Sequence, residues 1–280
     1  MSSSPCFSRR LAAGAILALA GCGSATADQA ATPRGEGDAQ PAWAARLMAA
    51  YPDDIAAVDA ARIRFRDGTT MRVSDGISGK SAAERQSAPD LDDMFAEPYV
   101  AGKPRRPPAP GEDPGRTRYE PFFDRIYGNC FKSEVAGRLR SVAWMPSRGG
   151  GSVRFATANG AADQLERAVR DLEALPPAMT RYLVPSAGTY VCRTIAGASQ
   201  RSMHGYGVAI DIATTQADYW RWAGGEKAAW RNRIPFEIVA IFERHGFIWG
   251  GKWSHFDTMH FEYRPELLPP ASDGAGTRGG

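Results

Sequence analysis

The sequence predicts an α+β fold, a small antiparallel sheet flanked by helices, because helical and extended patterns are mixed without a regular βαβ period. Three observations lead there. AADQLERAVRDLEALPP sets Leu165, Ala168, Val169 and Leu172 on one helical stripe that stops at Pro176-Pro177. IPFEIVAIFERHGF reads as a second helix, opening with Pro235 near its start and ending at Gly246. YGVAIDIA and TMHFEYR alternate with the period of two expected of strands.

The chain of 280 residues, 43% hydrophobic and 23% charged, can bury a full core in one large domain or two small ones. Its formal net charge of +3 includes Arg9 and Arg10, which lie in a segment expected to be removed, leaving 3 − 2 = +1. No footprint for nucleic acid exists at that charge, and no internal repeat is found. Neither a protein partner nor an oligomeric state can be read from the chain.

The elements follow in order. Residues 1–21 read as an export signal: Arg9 and Arg10 precede LAAGAILALAG, an apolar run shorter than the ~20 residues of a spanning helix. LAGC, Leu19 to Cys22, looks like a bacterial lipobox, so Cys22 is the expected lipidation site and membrane anchor. The alternative cut after Ala25-Thr26-Ala27 releases a soluble periplasmic protein, and either route ends in the bacterial cell envelope, with outer-membrane sorting left open. Residues 22–41 read as a flexible tether. Residues 42–103 form an N-terminal extension, with a short helix in AWAARLMAAYP and a hairpin turning at Asp67-Gly68. The Pro-rich stretch 104–118 is a linker or an extended strap. The main domain runs over 119–270, with GTYVCRTIAG and FIWGGKW as further strand candidates, and 271–280 is a disordered tail. Of four cysteines, Cys130 and Cys192 are the pair left in the folded part, and an oxidising compartment predicts a disulfide between them.

SMHGYGVAID and SHFDTMHFEYRP raise the functional question. In a strand GVAID, Gly207, Ala209 and Asp211 point away from Val208, Ile210 and Ile212. In TMHFEYR, His260 lies with Thr258 and Glu262, opposite Met259, Phe261 and Tyr263. Two such strands can aim Asp211 and His260 at one point, with His204 approaching through Gly205 and Gly207. Two histidines and an aspartate with an open fourth position meet the needs of a catalytic zinc site. Spacing alone leaves open whether they are instead ordinary polar residues at strand ends. The two-His, one-carboxylate iron site ranks low, since it usually places its first His and carboxylate closer together.

These same residues resemble a known family. S-x-H-x-x-G-x-A-x-D at Ser202 to Asp211 and D-x-x-H at Asp257 to His260 are similar to the motifs of zinc D-alanyl-D-alanine carboxypeptidases and the related phage L-alanyl-D-glutamate endolysins. GTYVCRTIAG, IPFEIVAIFERHGFIWGGKW and HFEYRPELL extend the resemblance, and DPGRTRYEPFFDRIYG looks like a subfamily with an N-terminal extension. It spans roughly Asp113 to Leu268. The resemblance implies a hedgehog/D-Ala-D-Ala peptidase-like fold, a zinc cofactor and peptidoglycan stem peptides as substrate. It implies His204, Asp211 and His260 as zinc ligands, Asp257 as general base, Arg193 as a catalytic or substrate-carboxylate contact, and Ser202 near the substrate. Many carboxypeptidase members have Glu where this chain has Asp257; the endolysin branch is similar in using Asp.

Other residues carry weaker readings. Glu262 is an alternative base or an orienting partner of a ligand. His255 is a substrate contact or a surface residue, and His245 a helix-end residue. Tyr219, Trp220, Trp222, Trp230, Trp249 and Trp253 pack in the core or stack on glycan. Arg201 reads as a solvated surface charge.

Overall fold

The computed structural model describes residues 40–269. The signal segment, Cys22, nearly all of the tether and the C-terminal tail lie outside the described residues. Helix α1 (Ala44–Ala50) leads into a three-stranded antiparallel sheet, β1 (Ile55–Val58), β2 (Arg62–Phe65) and β3 (Thr70–Arg72), in that order. The β2–β3 hairpin turns through Asp67-Gly68, where Gly68 has φ +85° and the Asp67 carboxylate accepts the Thr69 amide and hydroxyl. Helix α2 (Ala82–Ser87) opens with a capping box between Ser81 and Glu84.

The main body begins at α3 (Glu120–Tyr127), which has Pro121 in its first turn and Gly128 after its end. Its buried face, Phe122, Phe123, Ile126 and Tyr127, follows the helical period. An antiparallel hairpin follows, β4 (Leu139–Ala143) with β5 (Ser152–Ala156), and α4 (Ala161–Glu173) packs on both strands. Leu165, Ala168, Val169 and Leu172 of α4 are buried, and each fully buried leucine contributes about 1.5–3 kcal/mol. Helix α5 (Thr180–Leu183) precedes the segment that leads to the site.

The central sheet is three-stranded and antiparallel: β6 (Ala209–Asp211), β7 (Phe247–Trp249) and β8 (His260–Tyr263), in the order β6-β8-β7. Helix α6 (Phe236–Arg244) covers it, with the Phe242 ring stacked 4.0 Å from Phe261. Its N-cap is Pro235 and its C-cap His245, which sits 2.9 Å from the Asp171 carboxylate. No helix among the described residues is long and apolar enough to cross a membrane.

Two expectations need correction. GTYVCRTIAG is not a strand: Gly188 and Thr194 each form a single bridge, to Asp211 and Arg201. Its carbonyls serve side chains and loops instead; Thr189 O bonds His204, and Arg193 O accepts the Ser202 amide. Arg201 is no solvated surface charge. It is buried, its guanidinium bonded to Asp124 and to the Tyr206 hydroxyl and its amide to Glu120, because α3 brings those acids beside it.

Candidate metal centre and active site

Strand register brings two of the three candidate ligands together. Asp211 of β6 pairs with His260 of β8, and Ala209 pairs with Glu262, so these side chains share one face of the sheet. His204 arrives from a single 3₁₀ turn, Met203–Tyr206. Gly207 ends that turn at φ +71°, where a Cβ would run into Leu139, so only glycine lets the chain bend from the turn into β6. A Cβ on Gly205 would press on Arg201 and on Cys130 Sγ at 3.2 Å. The expected disulfide is formed between Cys130 and Cys192, against this turn.

The three side chains converge. His204 Nε2 lies 3.2 Å from His260 Nδ1 and 3.2 Å from Asp211 Oδ2, and His260 Nδ1 lies 2.9 Å from Asp211 Oδ1. Donors held about 2.0–2.2 Å from a tetrahedral ion lie roughly 3.3–3.6 Å apart, so the spacing fits a metal with little adjustment. His204, Asp211 and His260 thus form a group that can hold a metal ion.

The far side of each imidazole is fixed. His204 Nδ1 donates to Thr189 O at 2.5 Å, which leaves Nε2 with its lone pair toward the centre. His260 Nε2 donates to Glu262 Oε2 at 3.1 Å, which leaves Nδ1 facing inward. Glu262, fully buried, receives Arg118 Nη2 at 2.6 Å and Arg264 Nη1 at 3.2 Å. These bonds commit Glu262 to orienting His260, and Asp257 is left as the carboxylate with a free oxygen. Its Oδ1 is buried and has no hydrogen-bond partner, so it is free to accept one.

Charge follows geometry. Burial and the neighbouring Asp211 push the Asp257 carboxyl up to about 7. Asp211 feels burial pushing it up, yet His204 and His260 hold it well below the usual carboxylate range. Burial opposes charge on His260, but its bonds to Asp211 and Glu262 raise it to about 10. Glu262, despite burial, is held low by Arg118, His260 and Arg264.

An open cleft gives access. It is lined by His204, Asp211, Asp257 and His260, and by Arg193 and Ser202 on the loop before β6. His255 also lines it, half-buried, with Nδ1 2.6 Å from Asp113 Oδ2 and its ring edge-on to Trp220 at 4.7 Å. Tyr219, Trp220 and Trp253 contribute aromatic walls; Trp249 is wholly in the core, Trp230 is half-buried, and Trp222 is exposed. Sequence reasoning missed Arg116 and Arg118, which line the same cleft from the Pro-rich stretch. Their only signal was the run DPGRTR at the start of the resembling region.

An α+β domain thus brings a His/Asp/His group that can hold a metal ion and an unpaired carboxylate to one open cleft. Residues 196–263 match a family model described as D-alanyl-D-alanine carboxypeptidase, so the segment carrying all four of these groups is similar to that of such peptidases. The match begins after Arg193 and after the whole Pro-rich stretch. No curated protein and no solved structure matches the chain.

Proposed function

We propose that the protein is a zinc-dependent peptidase that hydrolyses peptide bonds in the stem peptide of peptidoglycan, as a D,D-carboxypeptidase or an endopeptidase. The observation that carries this reading is the convergence of His204, Asp211 and His260 beside the unpaired Asp257 Oδ1, in a cleft open to a peptide. His204 Nε2, His260 Nδ1 and the Asp211 carboxylate would hold the ion. Zinc, when bound, supplies a Lewis acid for the scissile carbonyl and for the attacking water.

The protein's own residues do the rest. Asp257 accepts the water proton at Oδ1 and passes it to the leaving amine, a role suited to a carboxyl whose pKa lies near neutrality. Arg193, exposed and held only by a 3.3 Å bond to Thr194 O, is free to meet developing oxyanion charge or a substrate carboxylate. Ser202 sits at the cleft wall with its amide on Arg193 O, fixing where that arginine begins.

Export fits this substrate. In the same reading, the chain is lipidated at Cys22 and faces the periplasm or sits at the outer membrane, with cleavage after Ala27 as the soluble alternative. Digestion of purified muropeptides with and without a chelator, followed by mass spectrometry, tests the reading. A zinc-dependent loss of D-Ala or a cut within the stem is expected. Bound zinc with no product would leave a silent peptidoglycan-binding or scaffold protein in its place.

A further inference from the structure

The Pro-rich stretch is built into the cleft. Trp253 Nε1 bonds Pro114 O at 2.9 Å, Arg264 Nη1 bonds Gly115 O at 2.7 Å, and the Ser254 amide bonds Glu112 O at 2.7 Å. Arg118 is spent on Glu262. Arg116 is not spent in that way: Nη1 meets Asp113 Oδ2 at 2.7 Å, and the guanidinium lies 6.0 Å over the Trp253 ring.

Asp113 holds a pair of basic side chains. Its side chain is buried and accepts from Arg116, from His255 Nδ1 and amide, from Ser254 Oγ and from Gln86. Five donors on one carboxylate fix Arg116 and His255 relative to each other, and both line the cleft. Burial pushes Asp113 up, but His255 and Arg116 hold it far below the usual range, so it stays an anion whatever binds. This cleft gathers Arg116, Arg193 and His255, and the fields of both arginines reach Asp257. Localised positive charge in a site with low-dielectric walls selects anionic ligands.

We infer that Arg116, with His255, forms a second carboxylate subsite distinct from Arg193, which makes the preferred substrate an acidic peptide bearing a free carboxylate besides the one at the reacting end. The inference rests on the peptidase reading for the identity of the ligand, but its test does not need turnover. Calorimetric titration of the zinc-loaded, full-length Asp257→Asn protein with a stem tetrapeptide, in its free-acid and fully amidated forms, reads the subsite directly. Arg116→Gln weakens the free-acid peptide roughly 10- to 100-fold and leaves the amidated one unchanged, while Arg116→Lys retains part of the difference. Equal affinity for acid and amide, equal losses for both in Arg116→Gln, or no binding of either peptide overturns it. If discrimination survives but the zinc-loaded protein with Asp257 intact yields no product, the hydrolytic reading fails and the subsite stands.

Discussion

The floor of the cleft and its rim are built by different means. His204, Asp211, His260 and Glu262 lie within about sixty residues of sequence and are fixed by strand register, a one-turn 3₁₀ helix and a buried ion network that Arg118 joins from 144 positions away. Arg193, His255 and Arg116 stand on irregular chain, secured by a disulfide to the 3₁₀ turn after α3 and by Asp113 of the strap. In the proposed function the floor would supply ligands whose geometry tolerates little error, and the rim would supply charge that selects what enters. Changes to the rim are then expected to alter stability and affinity while sparing the ion, and changes to the floor to reach the ion itself.

The largest effect in energy belongs to the rim. Closing the 62-residue separation between Cys130 and Cys192 stabilises the fold by roughly 4 kcal/mol on the chain-entropy model. The double Cys→Ser variant should melt far lower and bind peptide more weakly, yet take up zinc in full; loss of zinc in the still-folded variant would erase the distinction. At the floor's edge, Asp257→Asn should cut turnover about 10²-fold or more with zinc content unchanged, measured by product rate and metal analysis on one sample.

Glu262→Gln is expected to weaken zinc binding by about 10- to 100-fold, read by competition with a chelating dye, because the Nε2–H of His260 loses a charged acceptor. The smallest effect is on pH. His255 is raised by Asp113, with Arg116 opposing and Glu226 assisting, so its stabilising charge is fully present below the unfolded value of 6.5 and is lost as pH rises through the folded value. Asp113 is lowered, so its share is present above 3.8 and lost only in strong acid. Melting temperatures from pH 6 to 9 should fall more for the native protein than for His255→Gln; parallel curves would remove the pair's role.

Much of the floor was legible in the sequence. Period-two alternation in TMHFEYR and GVAID put His260, Glu262 and Asp211 on faces that register then aligned, and the two cysteines had few alternatives. Helices α4 and α6 carried their own stop signals in Pro176-Pro177 and Gly246. Arg193 and His255 were named at the rim, but what holds the rim was not legible, because its partners are distant in sequence. Asp113 meets His255 across 142 positions, and Arg201 is buried by Asp124 across 77, which no local pattern encodes. GTYVCRTIAG has strand-like residues, yet its backbone groups go to His204 and Ser202, where tertiary demand outweighs propensity. The β4–β5 hairpin was missed although PSRGGG marks the turn between its strands, on which α4 packs.

The most direct measurement is zinc stoichiometry across both regions. Native protein, Arg116→Gln and Arg193→Ala should each hold one ion per chain after dialysis, and His204→Ala and His260→Ala should hold none. Full zinc in either histidine variant, or its loss from either arginine variant, would contradict the account.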